Sequence, residues 1–132
     1  MIEIISHKKK FLAKIIRSSY LKKKGINFFT ENKLSQQVAY MHHPKNHIIQ
    51  PHLHKNRKKI IYDTNEVLIM IDGLMRVDFY DNKKMLLKSK LIKKNDIIIL
   101  LSGGHGFKIF KKTKFIEVKQ GPYIEKKDKI RF

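Results

Sequence analysis

The chain has 132 residues, a length typical of one domain, and a formal net charge of +19 at pH 7. It contains no cysteine, which excludes disulfides, thiolate metal sites and cysteine nucleophiles. Its longest apolar runs, residues 67–71 and 97–101, are too short for a membrane span, and its first residues lack the apolar core of a signal peptide. We therefore expect a cytoplasmic protein.

The positive charge comes from 26 lysines and only 4 arginines, spread along the whole chain. Proteins that read bases favour arginine, whose planar side chain binds guanine through two hydrogen bonds. Lys, Ile and Asn together make up 53 of the 132 residues, and these are the residues of A/T-rich codons. We therefore attribute the lysines to genome composition and rank nucleic-acid binding last among the functions considered. Their charge would still concentrate anionic small molecules near the protein.

Residues 8–24 show a hydrophobic stripe at helical spacing. Its members are Phe11, Leu12, Ile15, Ile16, Ser19 and Tyr20. Lysines cover the remaining positions, and Gly25 follows as a suitable C-cap. This pattern predicts an N-terminal amphipathic α-helix packed on the domain, and the alternative is a basic helix lying on an anionic membrane surface.

After Gly25 the pattern changes from helix to strand, with short apolar or alternating segments separated by turn formers such as Asp72-Gly73. The predicted strands are residues 37–41, 48–54, 66–72, 75–81, 85–92, 96–101, 107–110 and 114–119. Many short strands at this spacing predict an antiparallel sandwich or barrel, in which closure removes exposed edges. We expect one all-β domain, with an antiparallel β-barrel over residues 36–120 and an irregular tail over residues 121–132.

Three features of the sequence point to a metal site. His52 and His54 are two residues apart on a predicted strand, so both imidazoles project from one face. Glu66 opens an apolar strand, where a carboxylate is costly unless it is paired or bound to a cation. His105 lies among three glycines that let the backbone turn towards the sheet. The alternatives are a chance His-x-His pair, a carboxylate exposed beside Lys59, and an ordinary loop histidine.

Together these features resemble the two motifs of the cupin superfamily, over residues 36–120. The first motif comprises a His-x-His pair, a Glu and a Gly, which match His52, His54, Glu66 and Gly73. The second comprises a Gly-Asp turn, an apolar strand, Pro-x-Gly and a His, which match residues 95–105. The cupin resemblance implies a double-stranded β-helix, or jelly roll.

The chain departs from the cupin pattern in three places. Eleven residues separate the His-x-His pair from the Glu. Asn95 and Leu101 stand where the second motif has a Gly and a Pro, and one residue is missing before His105. Residues 117–123, followed by Asp128-Lys129, are similar to a narrower group, the small cupin metalloproteins of bacterial surface-polysaccharide (O-antigen) gene clusters.

The resemblance implies one divalent metal ion bound by His52, His54, Glu66 and His105. Imidazole and carboxylate ligands suit Fe, Mn, Ni or Zn without selecting one of them. The implied function is that of an isomerase or epimerase acting on a carbohydrate or nucleotide-sugar in polysaccharide biosynthesis, with the ion as Lewis acid. The alternatives are a non-catalytic, metal-dependent binding or sensing module and an Fe(II)-dependent dioxygenase.

Other residues are candidates for the surroundings of this centre. Tyr62 and Glu117 are candidate catalytic residues, although Glu117 either enters the barrel or pairs with a lysine outside it. The candidates for binding an anionic or sugar ligand are Gln36, Arg57, Lys58 and Lys59, of which the last three lie in the long loop of residues 55–65. Because cupin barrels commonly pair through their sheets, we also expect a homodimer.

Overall fold

The chain folds almost entirely into antiparallel β-structure, which confirms the predicted all-β class. A computed structural model describes residues 1–132, apart from the side chain of Lys22. The strands are β1 (Ile2–His7), β2 (Lys10–Ile16), β3 (Gly25–Phe28), β4 (Ala39–His42), β5 (Glu66–Tyr80), β6 (Leu86–Lys93), β7 (Ile97–Leu100) and β8 (Gly104–Lys119). A 3₁₀ helix spans Ser18–Lys22, and helix α1 (Glu125–Asp128) lies in the tail. Over the described residues, no helix has the length and apolar character needed to cross a membrane.

The predicted N-terminal helix over residues 8–24 is wrong, because these residues belong mainly to a β-hairpin. β1 pairs with β2, and the turn consists of Lys8 and Lys9, both at positive φ. Such a two-residue turn usually carries Asn or Gly, so two lysines give no hairpin signal. β2 is also buried on both faces, with Ile15 in one core cluster and Ile16 in the other. Burial on both faces produces the same apolar spacing as one face of a helix.

Six strands form one sheet in the order β1-β2-β7-β5-β6, with β8 on the other side of β5. The first half of β5 pairs with β7 and its second half with β6, while β8 pairs along most of its length. Strands β3 and β4 form a separate two-stranded sheet. In the described chain the strands do not close into a barrel, since β1, β6 and β8 each pair with a single neighbour.

The predicted strand over residues 48–54 is also wrong. Residues 43–65 contain no helix or strand, and most of their side chains are exposed. Pro51 lacks the backbone N–H that a central strand would donate, which weakens pairing at this point. The segment that carries the His-x-His pair therefore lies outside the sheet.

β5 is one bent strand, although the sequence predicts two strands separated by an Asp72-Gly73 turn. The register between β5 and β8 shifts three times between Met70 and Met75. Gly73 has a φ of +99°, and a Cβ at this position would lie 2.4 Å from the carbonyl oxygen of Lys112. The Asp-Gly pair therefore forms an irregular, bulged bend rather than a turn.

This bend folds the sheet over on itself. His105 pairs opposite Phe79, which lies thirteen residues after Glu66 along β5. In a straight strand, positions thirteen residues apart would be about 43 Å apart. Nevertheless, Nε2 of His105 lies 3.0 Å from Oε2 of Glu66. The two halves of β5 therefore face each other across the main core.

The core consists of two clusters of buried apolar side chains. The main cluster comprises Ile5, Leu12, Ala13, Ile15, Leu68, Met70, Met75, Val77, Phe79, Ile92, Ile98 and Leu100. The second cluster comprises Ile16, Phe29, Val67 and Ile99. It packs against partly buried side chains from the 3₁₀ helix, from β4 and the residue before it, and from the two ends of the β7 segment. The main cluster includes residues from both halves of β5, so its burial helps hold the sheet in its folded form.

A buried carboxylate ties the end of β2 to the beginning of β7. Asp96 is fully buried and accepts hydrogen bonds from Arg17 Nη1 at 2.7 Å, from the N–H of Ser18 at 3.0 Å and from the N–H of Lys93 at 3.2 Å. Nε of Arg17 also donates to Glu3 on β1 at 2.6 Å. This network fastens β1 and the 3₁₀ helix to the turn between β6 and β7.

Glu3 should make the stability of the protein depend on pH. Hydrogen bonds from Arg17 and Lys90 lower its pKa from 4.5 to about 2. Because the pKa is lower in the folded state, its stabilising effect is complete above about pH 4.5 and is lost as the pH falls towards 2. Partial exposure screens these ion pairs, so we expect Glu3→Gln to lower the free energy of unfolding by only about 1–2 kcal/mol at neutral pH.

Urea unfolding of both proteins at neutral pH and at successively lower pH measures this effect. The difference between the wild type and Glu3→Gln should shrink below about pH 4.5. Glu31→Gln is the control, because Glu31 pairs with a lysine whose side chain is 79% exposed. A difference for Glu3→Gln that stays constant as the pH falls would contradict the assigned ion pairs.

Candidate functional site

A carboxylate and an imidazole from distant parts of the sequence meet where the sheet folds over. Nε2 of His105 lies 3.0 Å from Oε2 of Glu66. Glu66 is buried, whereas 27% of the His105 side chain is exposed. The hydrogen bond from His105 lowers the pKa of Glu66 against the opposing effect of burial, and the charges of Lys129 and Lys119 lower it further. Glu66 is therefore held as a carboxylate beside an accessible imidazole.

Local features of the chain fix both side chains. Glu66 begins β5, and the preceding Asn65 is anchored through its N–H to Gln120 Oε1 at 2.8 Å and through Nδ2 to the carbonyl oxygen of Leu101 at 3.1 Å. His105 is the second residue of β8. It follows Gly103, which has a φ of +76° and approaches the carbonyl oxygen of Tyr80 so closely that a Cβ would lie 2.6 Å away. Glycine at this position thus lets the chain turn into β8.

Glu66 and His105 line a cavity of about 550 Å³ between the sheet and the C-terminal tail. Its walls are Thr64, Glu66, Tyr80, Gly103, Gly104, His105, Gly106, Phe107, Asp128, Lys129, Ile130, Arg131 and Phe132. The tail of residues 121–132 contains the single turn of α1, and the sequence does not predict the place of this tail beside the two predicted ligands. The only sequence signal for this role is the similarity of Asp128-Lys129 to the narrower cupin group.

The other two predicted metal ligands lie elsewhere. His52 and His54 are on the exposed segment outside the sheet, and Nδ1 of His52 lies 3.0 Å from the carbonyl oxygen of Gln50. Neither histidine lines the Glu66–His105 cavity. Among the side chains that the structure describes, no three His, Asp or Glu residues are grouped so that they could hold a metal ion. The structure thus brings together two of the four predicted ligands.

The two predicted catalytic candidates also lie outside this cavity. Tyr62 is 90% exposed on the segment between β4 and β5. Glu117 forms an ion pair with Lys119, at 3.0 Å between Nζ and Oε1, and its side chain is one-third exposed. Of the two orientations that the sequence allows for Glu117, the structure has the pairing with a lysine.

The predicted ligand-binding residues are likewise absent from the walls of this cavity. Arg57, Lys58 and Lys59 line a separate depression of about 350 Å³, together with residues between β3 and β4. Gln36 is half-buried, and its side-chain oxygen is buried without a hydrogen-bond partner among the described residues. The basic loop therefore faces a different part of the surface.

Comparison of the chain with protein-family models, with curated proteins and with solved structures finds no match. A carboxylate and an imidazole at hydrogen-bond distance can provide two ligands to a divalent ion. The same pair can also accept and donate a proton.

Proposed function

We propose that the chain is a divalent-metal-binding protein of the cupin type that acts as an isomerase or epimerase on a carbohydrate or nucleotide-sugar in polysaccharide biosynthesis. The observation that carries this proposal is the buried Glu66 carboxylate beside the His105 imidazole. A buried carboxylate is costly unless a cation or a hydrogen-bond donor compensates it, and this one faces an open cavity.

The chemistry of these two side chains fits a metal ion. Two ligands that each lie about 2.0–2.2 Å from one ion are about 3 Å apart, close to the 3.0 Å between Nε2 of His105 and Oε2 of Glu66. Protein metal sites use at least three ligands, so this pair is only part of one. We propose that His52 and His54 complete it.

The position of β8 supports this role for the His-x-His segment. Within the described chain β8 pairs only with β5, so its opposite edge is free to accept a further strand. Residues 48–54 have the apolar side chains Ile48, Ile49 and Leu53 exposed. Adding this segment to the free edge would bury apolar surface and place its histidines on a strand next to β8, which carries His105.

In this mechanism the bound ion would polarise a carbonyl of the substrate as a Lewis acid. The chain itself provides the binding and orientation. Glu66 and His105 would hold the ion, and the aromatic side chains of Tyr80 and Phe107 line the cavity where a sugar would lie. The tail covers one side of the cavity and reduces the access of water.

A second candidate function is non-catalytic, metal-dependent binding of a small molecule. Asp128 is the other carboxylate in the cavity wall, but one of its oxygens accepts the N–H of Ile124 at 2.7 Å. If Glu66 and His105 bind the ion, the described cavity wall therefore has no further carboxylate that is free to act as a base. A third possibility, Fe(II)-dependent oxygenation, requires consumption of O₂ with a bound ligand.

We further propose that the protein acts as a homodimer in the cytoplasm. Ile69 and Ile116 are paired across β5 and β8, and both are at least one-third exposed, as is the neighbouring Val118. Apolar side chains grouped on one outer face of a sheet suit an interface with a second copy.

Metal content tests the proposed function. Removing a ligand should lower the affinity for the ion at least tenfold, so Glu66→Gln and His105→Gln should lose most of the metal after dialysis. The double variant His52→Gln/His54→Gln should lose it as well, because both side chains are proposed ligands. Elemental analysis by mass spectrometry, after reconstitution with each of Fe, Mn, Ni and Zn, gives the ratio of metal to protein.

His42→Gln/His47→Gln is the matched control for His52→Gln/His54→Gln. These two histidines also precede β5 in the sequence, they do not line the cavity, and they are not proposed as ligands. Its metal content should equal that of the wild type. A wild-type protein that retains none of the four metals would contradict the proposal. Loss in Glu66→Gln with full retention in His52→Gln/His54→Gln would remove the His-x-His pair from the site.

A further inference from the structure

The C-terminal tail is held against the cavity by its last aromatic side chain. The ring of Phe132 packs edge-on against Tyr80, with 5.2 Å between the centroids and 89° between the planes. Nζ of Lys84 lies 5.6 Å from the centroid of the same ring. A Cβ on Gly104 would lie 3.1 Å from Cζ of Phe132, so glycine at that position leaves room for the ring. Phe132 thus has a shallow seat at the edge of the cavity and remains 62% exposed.

Two cationic side chains lie in the part of the tail that this seat holds in place. Lys129 and Arg131 both line the same cavity as Glu66 and His105. Lys129 has an extended backbone conformation, in which side chains two residues apart project to the same side. Asp128 lies in the same wall, but it is already hydrogen-bonded to the N–H of Ile124. The cavity wall therefore contains two cationic side chains as well as the Glu66–His105 pair.

We propose that residues 128–132 form a latch with an anion subsite, in which Lys129 and Arg131 bind a phosphate group of the ligand. The remainder of that ligand lies towards Glu66 and His105. Phosphate suits this pair because Arg provides parallel hydrogen bonds and Lys adds a mobile charge. The contacts of Phe132 are with the side chains of Tyr80 and Lys84 and with Gly104. The reaction performed on that ligand rests on the proposed function, whereas the binding of phosphate does not.

Titration with inorganic phosphate tests the latch in the full chain. We expect the NMR chemical shifts of the His105 imidazole to change as phosphate is added, and to reach a plateau when the site beside this side chain is full. Lys129→Ala/Arg131→Ala should weaken the affinity at least tenfold, because charge-assisted hydrogen bonds to phosphate are lost. The matched control is Lys126→Ala/Lys127→Ala, which removes the same charge from α1 in the same tail but does not touch the cavity. Its affinity should stay within about twofold of the wild type.

Phe132→Ala tests whether the seat of the ring holds the subsite in place. It should weaken phosphate binding several-fold, and Phe132→Tyr should restore the binding because the aromatic contact is kept. Circular dichroism checks that both variants are folded. Equal weakening of phosphate binding in Lys129→Ala/Arg131→Ala and in Lys126→Ala/Lys127→Ala would show a general effect of charge and overturn the proposal. Phosphate binding that leaves the His105 resonances unchanged would also overturn it.

Repeating the titration after treatment with EDTA separates this inference from the proposed function. If phosphate binds through Lys129 and Arg131, its affinity persists without metal and still falls in their double variant. If EDTA abolishes binding and the double variant binds like the wild type, the phosphate is bound by the ion and the latch is wrong. A protein that never binds metal ends the proposed function, but its titration still reports on the latch.

Discussion

Gly73→Ala is expected to lower the free energy of unfolding by about 2–5 kcal/mol, because two penalties add. A side chain at a φ of +99° costs about 1–2 kcal/mol. The new Cβ would also lie 2.4 Å from the carbonyl oxygen of Lys112 and 2.6 Å from the Cα of Thr113, both backbone atoms of β8. Relieving such overlap costs a further 1–3 kcal/mol or so.

The effect on the site should be larger than the loss of stability alone implies. Gly73 lies at the bend that brings His105 over Glu66, so straightening or shifting the bend separates the two side chains. We expect Gly73→Ala to lose metal and phosphate binding under conditions in which most of the protein is still folded. Urea unfolding, together with both binding measurements at low denaturant, gives the two effects separately.

Gly25→Ala is the matched control for this substitution. Gly25 also has a positive φ, of +84°, but a Cβ there would meet no atom within 4 Å. Only the conformational penalty of about 1–2 kcal/mol should remain, and binding should be unchanged. If the two alanine variants were equally stable and bound equally well, the contact between Gly73 and β8 would not determine the bend.

Asp96→Ala is expected to destabilise the protein by about 3–5 kcal/mol, because Asp96 is a fully buried charge with three hydrogen-bond donors around it. The substitution leaves the guanidinium of Arg17 without its second carboxylate and two backbone N–H groups without an acceptor. Asp96→Asn should fall between the wild type and Asp96→Ala, since one acceptor remains. Urea or guanidinium unfolding gives these differences.

Asp81→Ala is the control for Asp96→Ala. Asp81 also accepts two backbone N–H groups, from Lys83 and Met85, both at 2.9 Å, but at an exposed turn. Water can replace the carboxylate there, so we expect a loss of about 1 kcal/mol. Similar losses for the two variants would mean that burial does not amplify the contribution of Asp96.

Strands β4, β6 and β7 were accessible from local patterns, whereas β5 and β8 were each predicted as two shorter strands. The apolar runs before and after the Lys94-Asn95 turn predict β6 and β7 within one or two residues of their observed bounds. Strand β4 is likewise close to the predicted residues 37–41. In each of these strands one continuous sequence pattern corresponds to one continuous element. Because such patterns depend only on residues that are close in sequence, they predict these strands without knowledge of the tertiary structure.

Other elements depend on contacts that no local pattern reveals. An Asp-Gly pair between apolar segments is typical of a hairpin turn, yet at Gly73 the pairing of both flanking segments with β8 makes it a bulge. Likewise, the helical spacing that predicts a helix over residues 8–24 arises in part from β2, a strand buried on both faces by its neighbours. In both cases distant strands choose between two structures that suit the same short sequence.

The same division applies to the candidate site. That Glu66 needs a partner follows from its position at the start of an apolar strand, because an isolated buried carboxylate is unstable. That this partner is His105, 39 residues later, depends on the register shifts at Gly73. That Lys129 and Arg131 line the same cavity depends on the position of the tail, where Phe132 packs on Tyr80. Local sequence specifies which groups are apolar, charged or free to turn. The bend and the long-range pairing specify which of them meet, because these arise from the packing of the whole sheet.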